Sequence, residues 1–170
     1  MKKLVILCVK DDTIITELVR GLLSNLKEAT QLKQYTTDKA ASEIFEIVPS
    51  RTFFDMLEEC KFLEYHDENG VFYGTPHDRS EKGEGITLMV NSVDIALEIK
   101  KYNTKAMTFY VLPTGEREEF LNTKLKWNDP KTKNKLLDFL VSYDTVEEAV
   151  DKITKIVEFM IENAIFSNMI

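Results

Sequence analysis

The chain has 170 residues, 44% of them hydrophobic and 30% charged, which suits one domain with a sizeable core and excludes disorder and collagen-like order. With 29 acidic against 22 basic residues the formal charge is −7, the wrong sign for neutralising a duplex, so nucleic acid is not an expected partner. The longest purely apolar run, Leu4 to Val9, falls far short of the roughly 20 residues that span a bilayer, and no export signal opens the chain, so a soluble, cytoplasmic protein without a membrane partner is expected.

Leu4 to Val9 is β-branched and apolar on both faces, the pattern of a strand in the middle of a parallel sheet. Cys8 within it and Cys60 are the only cysteines, without CxxC spacing, and read as two ordinary thiols. Ile14, Ile15, Leu18, Leu22 and Leu23 then recur at helical spacing from about Thr13 to Lys27, with Asp11, Asp12 or Thr13 as cap. Gln34 to Val48 predicts two short strands around 38–42, and Ser50 is placed to cap a helix carrying Phe53, Met56, Leu57 and Cys60. Phe62 to His66 and Val71 to Tyr73 flank Asn69-Gly70, the pair that supplies both positive-φ positions of a type I′ hairpin turn.

Ile86 to Val90 and Ala106 to Leu112 predict two further strands joined by a helix near 93–101, a second βαβ unit. Glu116 to Lys126 predicts a helix, and Asn128-Asp129-Pro130, amid five lysines from Lys124 to Lys135, predicts an exposed loop holding the lone Trp127. Phe139 to Tyr143 is the last expected strand. Thr145 and Glu148 have capping-box spacing ahead of a long helix whose stripe runs from Val146 to Ala164. His66 and His77, with Asp67 and Asp78, lack a convincing third ligand, so no metal is assigned.

The segment from Ser50-Arg51-Thr52-Phe53 through Phe62-Leu63-Glu64-Tyr65, the Asn69-Gly70 turn and Phe72-Tyr73-Gly74-Thr75 resembles the GMP-binding segment of guanylate kinases. That segment runs helix, E-F-[IL]-E-[WY], a Gly-containing turn and Y-Y-G-[ST]. More loosely, Thr36-Thr37 resembles part of the family's S-x-T-T-R, and Tyr110 to Pro113 its strand ending in P-P. The resemblance implies a P-loop NTPase, guanylate kinase-like three-layer α/β fold: a single domain over 1–170, a parallel core sheet, an inserted antiparallel GMP-binding-like subdomain at 34–80 and a shortened lid-like segment at 122–137. It further implies that Glu64 reads guanine, that Thr75 lies beside the base, and that Tyr73, Thr37, Phe45 and Ser92 occupy GMP-binding positions.

The same comparison exposes departures. The family cradles ATP phosphates with GxxGxGK[ST]; here Lys10, Asp11, Asp12, Thr13, Ile15 and Thr16 lie in that stretch, with no glycine and with Ile15 where the phosphate lysine belongs. The T-T-R arginine, which would grip the GMP phosphate as a bidentate fork, is Asp38. Phe45 stands where a tyrosine would donate a hydroxyl, D-x-D falls on Val90-Asn91-Ser92, and 122–137 holds lysines but no arginine. The expected protein is therefore a catalytically degenerate guanylate kinase-like module that binds GMP or an unidentified protein partner, with no catalytic residue assigned and neither ATP nor Mg²⁺ expected as cofactor. Two alternatives stay open: an active guanylate kinase with atypical phosphate binding, and an acidic inhibitor or interaction protein of a mobile element.

Overall fold

The computed structural model describes residues 3–77, 85–125 and 138–167. Five parallel strands form the first sheet in the order β2-β7-β1-β8-β9: β1 (Lys3–Val9), β2 (Ala29–Gln31), β7 (Ile86–Val90), β8 (Met107–Pro113) and β9 (Phe139–Tyr143). Because side chains alternate along a strand, β1 feeds two cores. Val5 and Leu7 face α1 (Ile15–Asn25) and α5 (Val146–Ser167), whereas Leu4, Ile6 and Cys8 face α3 (Val93–Tyr102). The result is three layers. α1 and α5 approach so closely that a Cβ on Gly21 would lie 2.7 Å from Val150 Cγ2, which is why that helix position carries no side chain.

The second sheet is inserted between β2 and β7, in the order β4-β3-β6-β5: β3 (Gln34–Thr36), β4 (Phe45–Ile47), β5 (Phe62–Glu68) and β6 (Val71–Pro76). β5 and β6 form the expected hairpin, with Asn69 at φ 54° and Gly70 at φ 83°, both positive as a type I′ turn requires. β3 pairs antiparallel with β6 but parallel with β4, because the intervening stretch of chain carries β4 back to the starting end of β3; one pair of the insertion is thus parallel. α2 (Ser50–Glu58) covers one face with Phe53, which stacks on Phe62 at 4.7 Å and lies 5.8 Å from Phe72. Gly74 makes room for this packing: a Cβ there would lie 2.7 Å from the Phe62 ring.

Sequence expectations change in detail: α2 ends at Glu58, so Cys60, at φ 52°, lies beyond it. Ser50 is the first residue of α2, not its cap; extended Pro49 takes that place, without a side-chain hydrogen bond. β2 escaped the sequence reading because three residues, one of them glutamine, carry too little apolar pattern to register as a strand. At α5 the Glu148 N–H donates to Thr145 Oγ1 at 3.2 Å, but the Glu148 carboxylate accepts from Asp144 rather than Thr145, at 2.8 Å. α4 (Arg117–Leu125) matches its expectation; Trp127, the remainder of the lysine-rich loop and Asp78 lie outside the described residues.

Candidate functional site

The face of the second sheet opposite α2 carries the chemistry. Glu64 on β5 pairs across the hairpin with Thr75 on β6, so their side chains share a face, and the Thr75 hydroxyl donates to Glu64 Oε1 at 2.7 Å. That proton has one direction open to it. Gln34 Nε2, at the start of β3, donates to Thr75 Oγ1 at 2.9 Å, and Asn91 Nδ2 approaches the same oxygen at 3.4 Å, so the hydroxyl oxygen accepts on one side and donates on the other. Gln34 also donates to Asn91 Oδ1 at 2.7 Å. Thr75 is fully buried and Asn91 is 7% exposed, whereas the Glu64 side chain keeps 26% of its surface open, leaving an accessible carboxylate backed by a buried polar network.

Asn91 ties this network to the first sheet. It follows β7 directly, and its N–H donates to the Leu7 carbonyl of β1 at 3.0 Å. The second sheet therefore sits at the C-terminal ends of the parallel strands, where open α/β sheets take their ligands. Neither Gln34 nor Asn91 was selected from the sequence. The available signal was position: an amide just past an inner parallel strand, and another opening the strand that ends at Thr36.

Tyr73 stands beside Glu64 with its half-buried ring between two others. His66 stacks on it at 5.3 Å and 16°, and Phe45 meets it edge-on at 5.8 Å. His66 Nδ1 also lies 3.6 Å from Glu64 Oε2. Thr37 serves the sheet: its hydroxyl accepts from the Phe72 N–H at 3.0 Å, and its own N–H donates to the Phe72 carbonyl at 3.1 Å. Ser92 is exposed and caps α3, accepting from the Ile95 N–H at 3.4 Å. The structure thus gathers Glu64, Thr75, Tyr73 and Phe45, and places the Thr37 and Ser92 hydroxyl oxygens as acceptors of backbone N–H groups.

At the C-terminal end of β1 only Lys10 and Asp11 separate the strand from a short 3₁₀ turn (Asp12–Ile14) that leads into α1. Asp11 accepts from the Thr13 N–H at 3.0 Å and from its hydroxyl at 2.6 Å, bonds that hold its carboxyl below the ordinary value. Lys10 is paired with Glu116, whose hydrogen bond raises the ammonium pKa, and its backbone N–H donates to Val111 at 3.0 Å. Ile15 is buried in the core, so it presents nothing to a ligand, and Thr16 follows it on α1. The phenol of Tyr143, at the end of β9, is raised by burial and further by the Asp11 and Glu116 carboxylates. Burial pushes the Cys8 thiol up to about 12, removing it from nucleophilic chemistry. No group of three or more His, Cys, Asp or Glu arranged to hold a metal ion occurs among the described residues.

No protein-family model matches the chain. Among curated proteins it is 27% identical to the guanylate kinase of Prochlorococcus marinus subsp. pastoris, over 62% of this chain and 67% of that protein. It is 26% identical to the guanylate kinase of Clostridium tetani, over 81% of this chain and 76% of that one. Among solved structures, guanylate kinase from Anaplasma phagocytophilum superposes with a TM-score of 0.66 at 20% identity, covering 94% of this chain and 86% of its own. The architecture is that of P-loop-type three-layer α/β proteins with an inserted second sheet. Within that class the chain is guanylate kinase-like.

Proposed function

We propose that the protein is a guanine-binding module on a guanylate kinase-like scaffold and that it does not transfer phosphoryl groups. The observation that carries this reading is the Glu64–Thr75 pair, held at 2.7 Å and backed by Gln34. A carboxylate with an open side is the acceptor a guanine edge needs for its adjacent N–H donors, and burial of its supporting network keeps it in place. Against phosphoryl transfer stands the short β1 connection: Lys10 and Asp11 alone cannot form a ring of backbone donors around a triphosphate, and the one lysine there is engaged by Glu116. The residues present do not fit magnesium–ATP, since β7 ends in Val90 and is followed by Asn91 and Ser92 in place of carboxylates, and Asp11 is turned onto Thr13.

Calorimetric titration with guanosine and with GMP tests the binding half. Micromolar-range binding of either ligand, lost in Glu64→Ala, is expected; absence of heat with both at millimolar concentration would refute the reading and direct the search to a protein partner. Incubation with ATP, GMP and Mg²⁺ tests the other half. ADP formation above the no-enzyme rate would replace the module with an active kinase.

A further inference from the structure

We infer that His66 sets the strength of guanine binding at Glu64 through its protonation state, an inference that rests on the guanine-binding reading above. The two oxygens of the Glu64 carboxylate are differently placed. Oε1 accepts from the Thr75 hydroxyl at 2.7 Å, whereas Oε2 has His66 Nδ1 3.6 Å away. That separation is longer than a hydrogen bond, so a neutral imidazole leaves Oε2 open to a donor from a guanine edge. An imidazolium carries a proton on Nδ1 and has to move by less than about 1 Å to donate it to Oε2. It then offsets the carboxylate charge and takes a lone pair that the ligand would use.

Strand register holds His66 within reach of that bond. It follows Glu64 by two residues on β5 and pairs across the hairpin with Tyr73, so all three side chains share one sheet face, and its ring stacks on Tyr73 at 5.3 Å and 16°. A phenol face accommodates a cation as well as a neutral ring. With 43% of its side chain exposed, the imidazole exchanges protons directly with solvent. The titratable groups on this face are Glu64 and Glu68 of β5 and Tyr73 of β6, and β3 and β4 present only uncharged side chains to it among the described residues. His77, the other histidine of the chain, lies exposed just past β6, its N–H donating to the Lys61 carbonyl at 3.1 Å. Of these side-chain types only imidazole ordinarily changes charge between about pH 5 and about pH 8.

The test measures Kd for guanosine by calorimetry at about pH 8 and about pH 5.5. Guanosine is the probe because its charge is constant over that range, whereas a phosphate titrates within it. Binding is expected to be at least about threefold weaker at the lower pH, and at about pH 6.5 to release protons, read as a binding enthalpy that varies with the ionisation heat of the buffer. His66→Phe, which keeps a ring on Tyr73 and carries no titrating proton, is expected to remove the pH difference. His66→Lys, charged at both pH values, is expected to bind more weakly than His66→Phe at each, and His77→Gln to retain the full difference; far-UV circular dichroism checks that each variant has folded. Guanosine binding without proton release in the unmutated protein, a pH difference that survives His66→Phe, or one that disappears in His77→Gln would overturn the inference while leaving the guanine-binding reading intact. Absence of guanosine binding at both pH values would overturn both.

Discussion

Glu64 and Lys10 occupy two regions that meet at the C-terminal ends of the parallel strands, and their polar groups are organised in opposite ways. Around Glu64 the bonds run between elements: Gln34 of β3 and Asn91 after β7 converge on the Thr75 hydroxyl of β6, which donates to a carboxylate of β5 that still has open surface. Around Lys10 they close on themselves, lysine to Glu116 and Asp11 to Thr13, two residues away. A network whose last acceptor faces outward can take a donor from a ligand. One whose charges are internally matched can do so only by first breaking a pair. The contrast underlies the proposal of base recognition without phosphate transfer.

The largest effect that could break this comparison lies beneath the second sheet. Phe53 is fully buried against Phe62 and Phe72, and Phe53→Ala is expected to cost about 3–5 kcal/mol, because the sheet has a single covering helix with which to close the void. Urea unfolding followed by far-UV circular dichroism measures it. A loss below about 1 kcal/mol would mean that the aromatic layer does not hold the Glu64 strand in place, and the organisation credited to that region would fall.

Thr75→Val comes next. It removes the hydroxyl that Gln34 donates to and that donates to Glu64, at nearly constant shape. Leaving the part-buried Gln34 donor without that acceptor costs about 1–3 kcal/mol, towards the lower end because Gln34 keeps its bond to Asn91 and water reaches Glu64. Guanosine binding should weaken with it. By contrast Glu116→Gln, at the Lys10 end, is expected to leave guanosine affinity where it was. Equal losses from the two substitutions would show that the regions are one coupled unit.

Much of this arrangement was legible from local pattern. The Asn69-Gly70 turn, the β1 run and the α5 stripe each follow from residue types acting within a few positions, and the hairpin motif brought Glu64, Tyr73 and Thr75 together on one face. What could not be read depends on distant contacts. Asn91 lies 57 residues from Gln34 along the chain, and their bond exists only because β7 ends where β3 begins. Thr37 and Ser92 matched family positions, yet their hydroxyl oxygens accept backbone N–H bonds, a use that a one-dimensional pattern cannot separate from ligand contact. Ser50 missed its capping role because Pro49 already fixes the extended entry to α2.

The smallest effect sharpens the comparison from the opposite edge of the first sheet. Asp138, just before β9, accepts from the Thr108 N–H and hydroxyl, each at 2.9 Å, and is paired with Lys100. Burial works to raise its carboxyl pKa, but the Lys100 and Thr108 bonds outweigh it and leave the group below its ordinary value. A depressed carboxyl pKa contributes stability that is present above the unfolded-state value and is lost as pH falls through the folded one. Thermal midpoints should accordingly drop as pH is lowered from about 5 to about 3, and Asp138→Asn should flatten its share of that drop. Asp11 and Glu148, also held low by hydrogen bonds, keep the variant from becoming fully flat. Because Asp138 belongs to neither cleft region, guanosine affinity at neutral pH should be unchanged in Asp138→Asn; a parallel fall in binding would mean that the first sheet transmits strain from one edge to the other and that the two regions at its C-terminal end cannot be treated as locally determined.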